Sequence, residues 1–487
     1  MQKYLKISEK LIYWLVIATL MFIPLYMKFP AVRIPDTFVS IRLEDILIAF
    51  LTFVWVVDII IRKKVKEILS DHLNQAIFLF IFIGAVATFS GIFLTHTSAP
   101  FLGILHLMRR IEYMILLPIV IYSIRERRQG YVYLALLSII LFFVNVYALG
   151  QRYLRFPAIS TTTSELSKGL VYYLNQYDRV SSTFAGHYDL AIFLMMGIIL
   201  VASVLFFFLG KRNKLSFKDK NIPVLIWLTV LAGLSSLVLV MTAARLSFVA
   251  LFVGVTFALI ILKKKKYLLL MALLSAIILI YPSNLRNRLV STFTVNVLQQ
   301  YSEYEATNEI QEKRSKLNIP TLPVSRKRII DSNVDAADIT PGEPINTVDL
   351  GVYRSFSIRT QVEWPRAVRS LKKNPFLGTG YSSLGLATDS DLLRSLGEVG
   401  LLGTIAFVFV MIEIIRRMWR LFKVQQGFIR YLGAGILSVI VAFLVNALFI
   451  DVFEASKVAI IFWMLIGIYF GVSKVGSTKR LYEKISK

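Results

Sequence analysis

Apolar residues in this chain fall into long runs separated by short polar blocks, rather than alternating with polar residues. The runs are Leu11 to Met27, Ile46 to Ile61, Gln75 to Leu94, Ile111 to Ile124, Gly130 to Leu149, Leu190 to Leu209, Val224 to Met241, Leu246 to Leu262 and Tyr267 to Tyr281. A long non-apolar region follows, and then Gly400 to Ile415, Tyr431 to Ile450 and Val458 to Val472. At roughly 17 to 25 residues per crossing, with some runs short, this pattern predicts an all-α membrane protein of about twelve transmembrane helices. The first run, preceded by Lys3, Lys6 and Lys10, imitates a signal peptide. It is long, however, and Lys28-Phe29-Pro30 follows where a small-residue cleavage site would stand, so it reads as the first membrane helix.

Charge gives the pattern a direction. Every second turn is basic: Arg62, Lys63, Lys64 and Lys66; Arg125, Arg127 and Arg128; Lys211, Arg212, Lys214, Lys218 and Lys220; Lys263 to Lys266; Arg416, Arg417, Arg420 and Lys423. Short basic turns are retained in the cytoplasm, which places both termini there and the intervening turns outside. The chain then divides into helices 1–9 (residues 1–281), a large external loop between helices 9 and 10 (282–393) and helices 10–12 (394–487). Within the loop, Asn318 to Thr347 carries four prolines and several aspartates and reads as a flexible insertion. The formal charge of +25 is explained by this topology, so no nucleic-acid partner is called for. With 56% hydrophobic residues over 487 positions, membrane lipids are the expected surroundings. The absence of cysteine excludes disulfides and thiolate chemistry, and four histidines make a multi-histidine metal centre improbable.

One stretch, Arg354 to Gly403, is charged, complex in sequence and adjacent to a membrane boundary. Wound as a helix from Arg359, it sets Arg359, Arg366, Arg369 and Lys373 on one side, with Trp364, Ala367, Val368 and Leu371 on the other. Pro365 kinks that helix or marks its restart, and Asn374-Pro375 ends it. Gly378, Gly380 and Gly385 permit a tight, close-approach loop. Asp389 and Asp391 come next, then Glu398 ahead of an apolar run. Cations and acids gathered where a chain re-enters lipid suit a diphosphate-bearing lipid.

These residues resemble the O-antigen ligase and polymerase family of bacterial membrane glycosyltransferases. The resemblance rests on Arg359, Trp364, Pro375, Gly378-Thr379-Gly380 and Leu396-Gly397-Glu398-Val399-Gly400-Leu401-Leu402-Gly403. It also rests on Met241 to Arg245, and on Arg179 to Phe184 continuing through His187 to Ala191. Where ligases of that family carry a histidine, this chain, aligned on Leu393 and Glu398, has Asp389; polymerase-like members more often have an acid there. The resemblance implies an enzyme of the bacterial cytoplasmic membrane, working at its external face. It would join a glycan from an undecaprenyl-diphosphate-linked donor to a glycan, lipid or protein acceptor, by polymerisation or by ligation. A cofactor or metal is not implied. The alternative is a transporter or flippase of lipid-linked glycans, which would place charged or broken helices near the bilayer midplane.

The expected site follows. Arg179, Arg245, Arg359 and Arg366, with Gly378 and Gly380, are the substrate-binding candidates, because guanidinium groups grip a departing diphosphate through two-point hydrogen bonds. Asp389 is the candidate base, with Glu398 beside it in the catalytic set. Each has a plainer role. Arg245 can snorkel to the interface, Arg179 can make a loop salt bridge, the arginine stripe can face headgroups and Glu398 can orient an arginine. Asp389 can cap the helix beginning near Leu392. Asp389-Ser390-Asp391 spells a metal-binding motif too short to be telling. His187 and Asp189 form a potential polar pair, and Arg109, Arg110 and Glu112 read as an interfacial anchor.

Overall fold

The computed structural model describes residues 2–33, 40–160, 169–175, 178–210, 221–280, 283–294, 358–385 and 388–476. Its helices are α1 (Gln2–Leu25), α2 (Leu43–Ile61), α3 (Val65–Leu69), α4 (His72–Phe93), α5 (Pro100–Ser123), α6 (Arg127–Tyr153), α7 (His187–Gly210), α8 (Ile222–Thr242), α9 (Arg245–Ile261), α10 (Tyr267–Ile280) and α11 (Asn284–Thr294). A π-helical stretch, Ile358–Glu363, leads into α12 (Trp364–Lys373). Three long helices close the bundle: α13 (Asp391–Val424), α14 (Gly427–Ala447) and α15 (Ser456–Gly476). Two short antiparallel hairpins, β1 (Pro30–Arg33) with β2 (Ser40–Arg42) and β3 (Pro157–Ile159) with β4 (Val171–Tyr173), cover connections at one end.

Helices are the form such apolar runs must take in lipid, since each satisfies its backbone hydrogen bonds internally. Among the described residues, eight of them are long and apolar enough to cross a membrane. The other four predicted runs are helical as well. Of these, α2 contains Glu44, Asp45 and Asp58, and α5 contains Arg109, Arg110 and Glu112, while α9 and α10 have only 17 and 14 residues. The insertion expected at 318–347 lies outside the described residues.

The core is built on α7, α14 and α15. Helix α14 packs on α7 and α9, α15 on α5, and α13 on α4. Small residues make this possible: Gly435 faces Ser203, and Gly254 faces Ala442, so backbones approach closely where lipid supplies no hydrophobic drive. At one end lie the basic turns, where Arg417 in α13 binds Asp71 at 3.0 Å. The other end is tied by long-range bonds. Lys457 donates to the carbonyls of Tyr26 and Thr183. Thr97 and Ser98 bond the carbonyls of Thr379 and Tyr381, and Gln151 bonds that of Ser182.

One expectation needs correction. Arg109 and Arg110 do not begin an interfacial run. They sit well inside α5, because the chain folds back over that helix: Arg109 donates to the Ser40 carbonyl, and Arg110 to the Phe453 carbonyl and the Glu454 carboxylate. One span is broken. Gly400, at φ 65° and ψ −166°, interrupts α13 nine residues after its start.

Candidate functional site

The break in α13 is where the site begins. Around it, the loop after α12 supplies the hydrogen bonds that the helix loses. Thr379 N–H donates to the Gly397 carbonyl at 2.9 Å and Gly380 N–H to that of Glu398 at 2.8 Å, while Leu401 and Leu402 N–H reach the carbonyls of Pro375 and Phe376. The approach is so close that a Cβ on Gly378 would lie 2.5 Å from the Glu398 carbonyl carbon, and one on Gly400 would lie 2.4 Å from the Phe376 oxygen. Gly378 also has φ +67°, a conformation that side chains disfavour. Gly378 and Gly380 are both buried, so the glycine requirement there is accounted for by backbone docking.

Upstream, Pro365 opens α12 and marks a restart after the π-helical turn. Ala367 is buried against α13, but Val368 is 40% exposed, so the apolar face is narrower than its spacing suggested. Arg369 and Lys373 point to the exterior. Arg366 lies beside Gly385 and acts on Glu363.

Downstream, Asp389 adopts φ +50° and its carboxylate meets Arg359 Nη2 at 2.7 Å. It is not the cap of α13. Ser390 takes that position, its hydroxyl accepting the Leu393 N–H, because the left-handed turn at Asp389 directs that side chain away from the helix axis. Asp391 turns elsewhere, accepting N–H groups from Val452 and Phe453. The two acids of the Asp-Ser-Asp triplet therefore serve different partners. Among the described residues, no group of three or more His, Asp and Glu side chains is arranged to hold a metal ion.

Behind this surface, Arg394 is 1% exposed and lies 3.0 Å from Asp451, 3.6 Å from Glu398 and 3.7 Å from Glu454. Glu398, equally buried, thus faces an arginine of its own helix. A charged network of this kind tolerates burial only because its members are paired.

Across the bundle end stand further arginines. Arg179 Nη1 is 2.9 Å from His187 Nε2, so His187 pairs with Arg179 and not with Asp189, whose electrostatic neighbours are Lys28, Lys457 and Arg42. Arg245, the first residue of α9, donates to the Arg288 carbonyl at 3.1 Å. Arg288, Arg359 and Arg179 all lie within electrostatic range of Arg245, as does Tyr188. Three of the predicted arginines and Asp389 thereby share one region. Burial, then the charges of Asp389 and Asp451, push the Glu363 carboxyl up to about 7. Burial also raises Asp389, against the opposing pull of Arg359.

Sequence reasoning passed over Glu363, Arg288, Arg394 and Asp451. The signal for Asp451 and Glu454 was present: two acids in a short turn between apolar runs, where ionisable groups are expensive.

These features define a multi-pass helical membrane protein with guanidinium groups and a carboxylate assembled at one end of its bundle. A family model described as O-Antigen ligase matches residues 230–408, so that stretch of the chain is similar to the O-antigen ligase family. It contains Arg245, Arg359, Arg366, Gly378, Gly380, Asp389 and Glu398, whereas Arg179 and Asp451 lie outside it. No curated protein matches the chain.

Proposed function

We propose that the protein transfers a glycan from undecaprenyl diphosphate to an acceptor hydroxyl at the external face of the bacterial cytoplasmic membrane. The observation that carries this reading is the Arg359–Asp389 pair at 2.7 Å, with Arg245, Arg179 and Arg288 close by. In the reaction the acceptor oxygen attacks the anomeric carbon, the bond from that carbon to the phosphate oxygen breaks, and the diphosphate departs with the electron pair. Arg245 and Arg359 meet the negative charge gathering on the departing oxygens, with Arg179 and Arg366 around them. Asp389 takes the proton of the acceptor hydroxyl, its carboxylate freed from Arg359 as that guanidinium turns to phosphate. Gly378, Gly380 and Glu398 hold the frame. On this reading the arginines and Asp389 lie outside the membrane, about twelve spans separate them from two cytoplasmic termini, and residues 282–393 form the loop that completes the site.

A transporter of lipid-linked glycans is the rival reading, and the break at Gly400 gives it some footing. The break is closed by hydrogen bonds to residues 375–380, which favours a fixed catalytic frame. Reconstitution with lipid-linked oligosaccharide separates the two. Chain growth, or transfer to an added acceptor with release of undecaprenyl diphosphate, supports the enzyme. Movement of intact donor across the bilayer without any new glycosidic bond refutes it.

A further inference from the structure

Asp451 lies 62 residues beyond Asp389, in the turn between α14 and α15. Its carboxylate accepts three successive backbone N–H groups: Thr388 at 2.8 Å and Asp389 at 3.2 Å on Oδ2, and Ser390 at 3.1 Å on Oδ1. Oδ2 also receives Arg394 Nη2 at 3.0 Å. Consecutive amides converge on one anion only where the chain makes a concave turn, and a left-handed residue is what produces it. Asp389, at φ +50°, is that residue. The anion filling this concavity comes from the protein itself.

We infer that Asp451 is a positioning residue: by filling the amide concavity of residues 388–390 it fixes the backbone from which the Asp389 carboxylate reaches Arg359. This deepens the proposed transfer reaction and rests on that reading for its catalytic consequence. The physical case is one of competing conformations. A non-glycine residue in the left-handed region is disfavoured on its own, so the turn persists because charge-assisted hydrogen bonds hold it. Arg394 in turn anchors Asp451, being buried and bonded to it from α13. The turn is therefore pinned between two helical elements. The charged groups facing Asp389 are Arg359 and Glu363 from the segment ahead of α12, Arg394 from α13 and Asp451 from the α14–α15 turn. Of these, Asp451 and Glu363 oppose ionisation of Asp389 and the two arginines favour it.

The test uses the full-length protein purified in detergent, with Asp451→Asn and Asp451→Glu. Amide hydrogen exchange is read by peptides covering residues 388–390, and glycan transfer is measured against pH. Asparagine keeps an acceptor for Arg394 but loses the charge. Exchange in 388–390 should then rise about tenfold or more, while peptides from α7 and α14 stay protected. Turnover should fall with KM little changed, and the acid limb of the pH profile should move to lower pH, because one opposing charge is gone. Glutamate keeps the charge but shifts it by a methylene, so exchange should rise while the limb stays in place. Unchanged exchange in Asp451→Asn overturns the inference. Faster exchange with parental turnover and an unmoved limb overturns it as well, leaving Asp451 only a structural tie. Faster exchange in the variant, where even the parent makes no glycosidic bond from lipid-linked donor, supports the hold on the loop and sinks the transfer reading instead.

Discussion

Gly378→Ala distinguishes a glycine that touches substrate from one that touches its own protein. The added Cβ would stand 2.5 Å from the Glu398 carbonyl carbon, and 2.6 Å from both the Glu398 oxygen and the Gly400 nitrogen. All three are backbone atoms, so no side chain can swing aside. The native φ of +67° adds strain of about 1–2 kcal/mol for any residue with a Cβ. Forcing one carbon into a filled space adds about 1–3 kcal/mol. Together these predict a loss of about 2–5 kcal/mol, borne by the clasp between residues 375–380 and the break in α13. Gly233→Ala is the matched control: it lies within α8, an added Cβ meets nothing within 4 Å, and helix propensity alone predicts a gain of up to about 1 kcal/mol. The assay is the midpoint of thermal inactivation in detergent, followed by size-exclusion fluorescence, alongside glycan transfer per folded protein. Gly378→Ala should lower the midpoint by several degrees and Gly233→Ala should not. A Gly378→Ala protein that melts with the parent yet fails to transfer glycan would falsify the docking argument and restore direct substrate contact at this glycine.

Other expectations follow from the same geometry. Asp389→Asn should fold normally, since Ser390 rather than Asp389 caps α13, and should abolish most transfer; full transfer would remove Asp389 from the chemistry. Asp391→Asn should instead lower thermal stability, because Asp391 carries the Val452 and Phe453 amides, and a midpoint equal to that of the parent counts against that role. Arg245→Ala should slow transfer on the order of 100-fold, and Arg245→Lys should recover only part of it, because lysine lacks the planar two-point fork; equal rates for parent and alanine variant refute phosphate contact. Glu363 provides a pH test. Its folded value near 7 lies above its ordinary 4.5, so its stabilising contribution is present below the lower value and is lost as pH rises through 7. Glu363→Gln should therefore gain thermal midpoint over the parent between about pH 5 and about pH 8, and match it near about pH 4; a difference that is flat with pH would contradict the burial argument.

The bundle was legible because each membrane helix announces itself locally, through an apolar run bounded by charge. Lys263 to Lys266 and Arg62 to Lys64 mark turns without reference to any other part of the chain. The arginines Arg179, Arg245 and Arg359 were legible for a related reason, each being a costly charge at a helix boundary. What escaped was pairing across sequence. Arg110 meets Glu454 from 344 residues away, and Asp451 grips amides about 60 positions earlier. Neither side chain shows its partner type in its neighbours. The cap of α13 was misplaced by one residue because Asp389 and Ser390 are both good caps, and only the φ of Asp389 decides between them. His187 lies two positions from Asp189 in sequence, yet neighbours that close at a helix start point in different directions, and Arg179 reaches the imidazole instead.

The clasp at Gly400 makes this part of the chain modular. Because Thr379 and Gly380 are fastened to Gly397 and Glu398, the chain is closed at a neck made of backbone hydrogen bonds. Side chains of the loop still touch α13, since Leu384 packs against Gly397 and the Gly385 carbonyl accepts from Arg394, but the fastening itself is made by backbone alone. A fold of this kind lets a lineage, or an engineer, exchange side chains elsewhere in the loop like a tool bit while the chuck stays tight. Relatives should then vary in those side chains, with the spacing from Gly397 to Gly400 held constant.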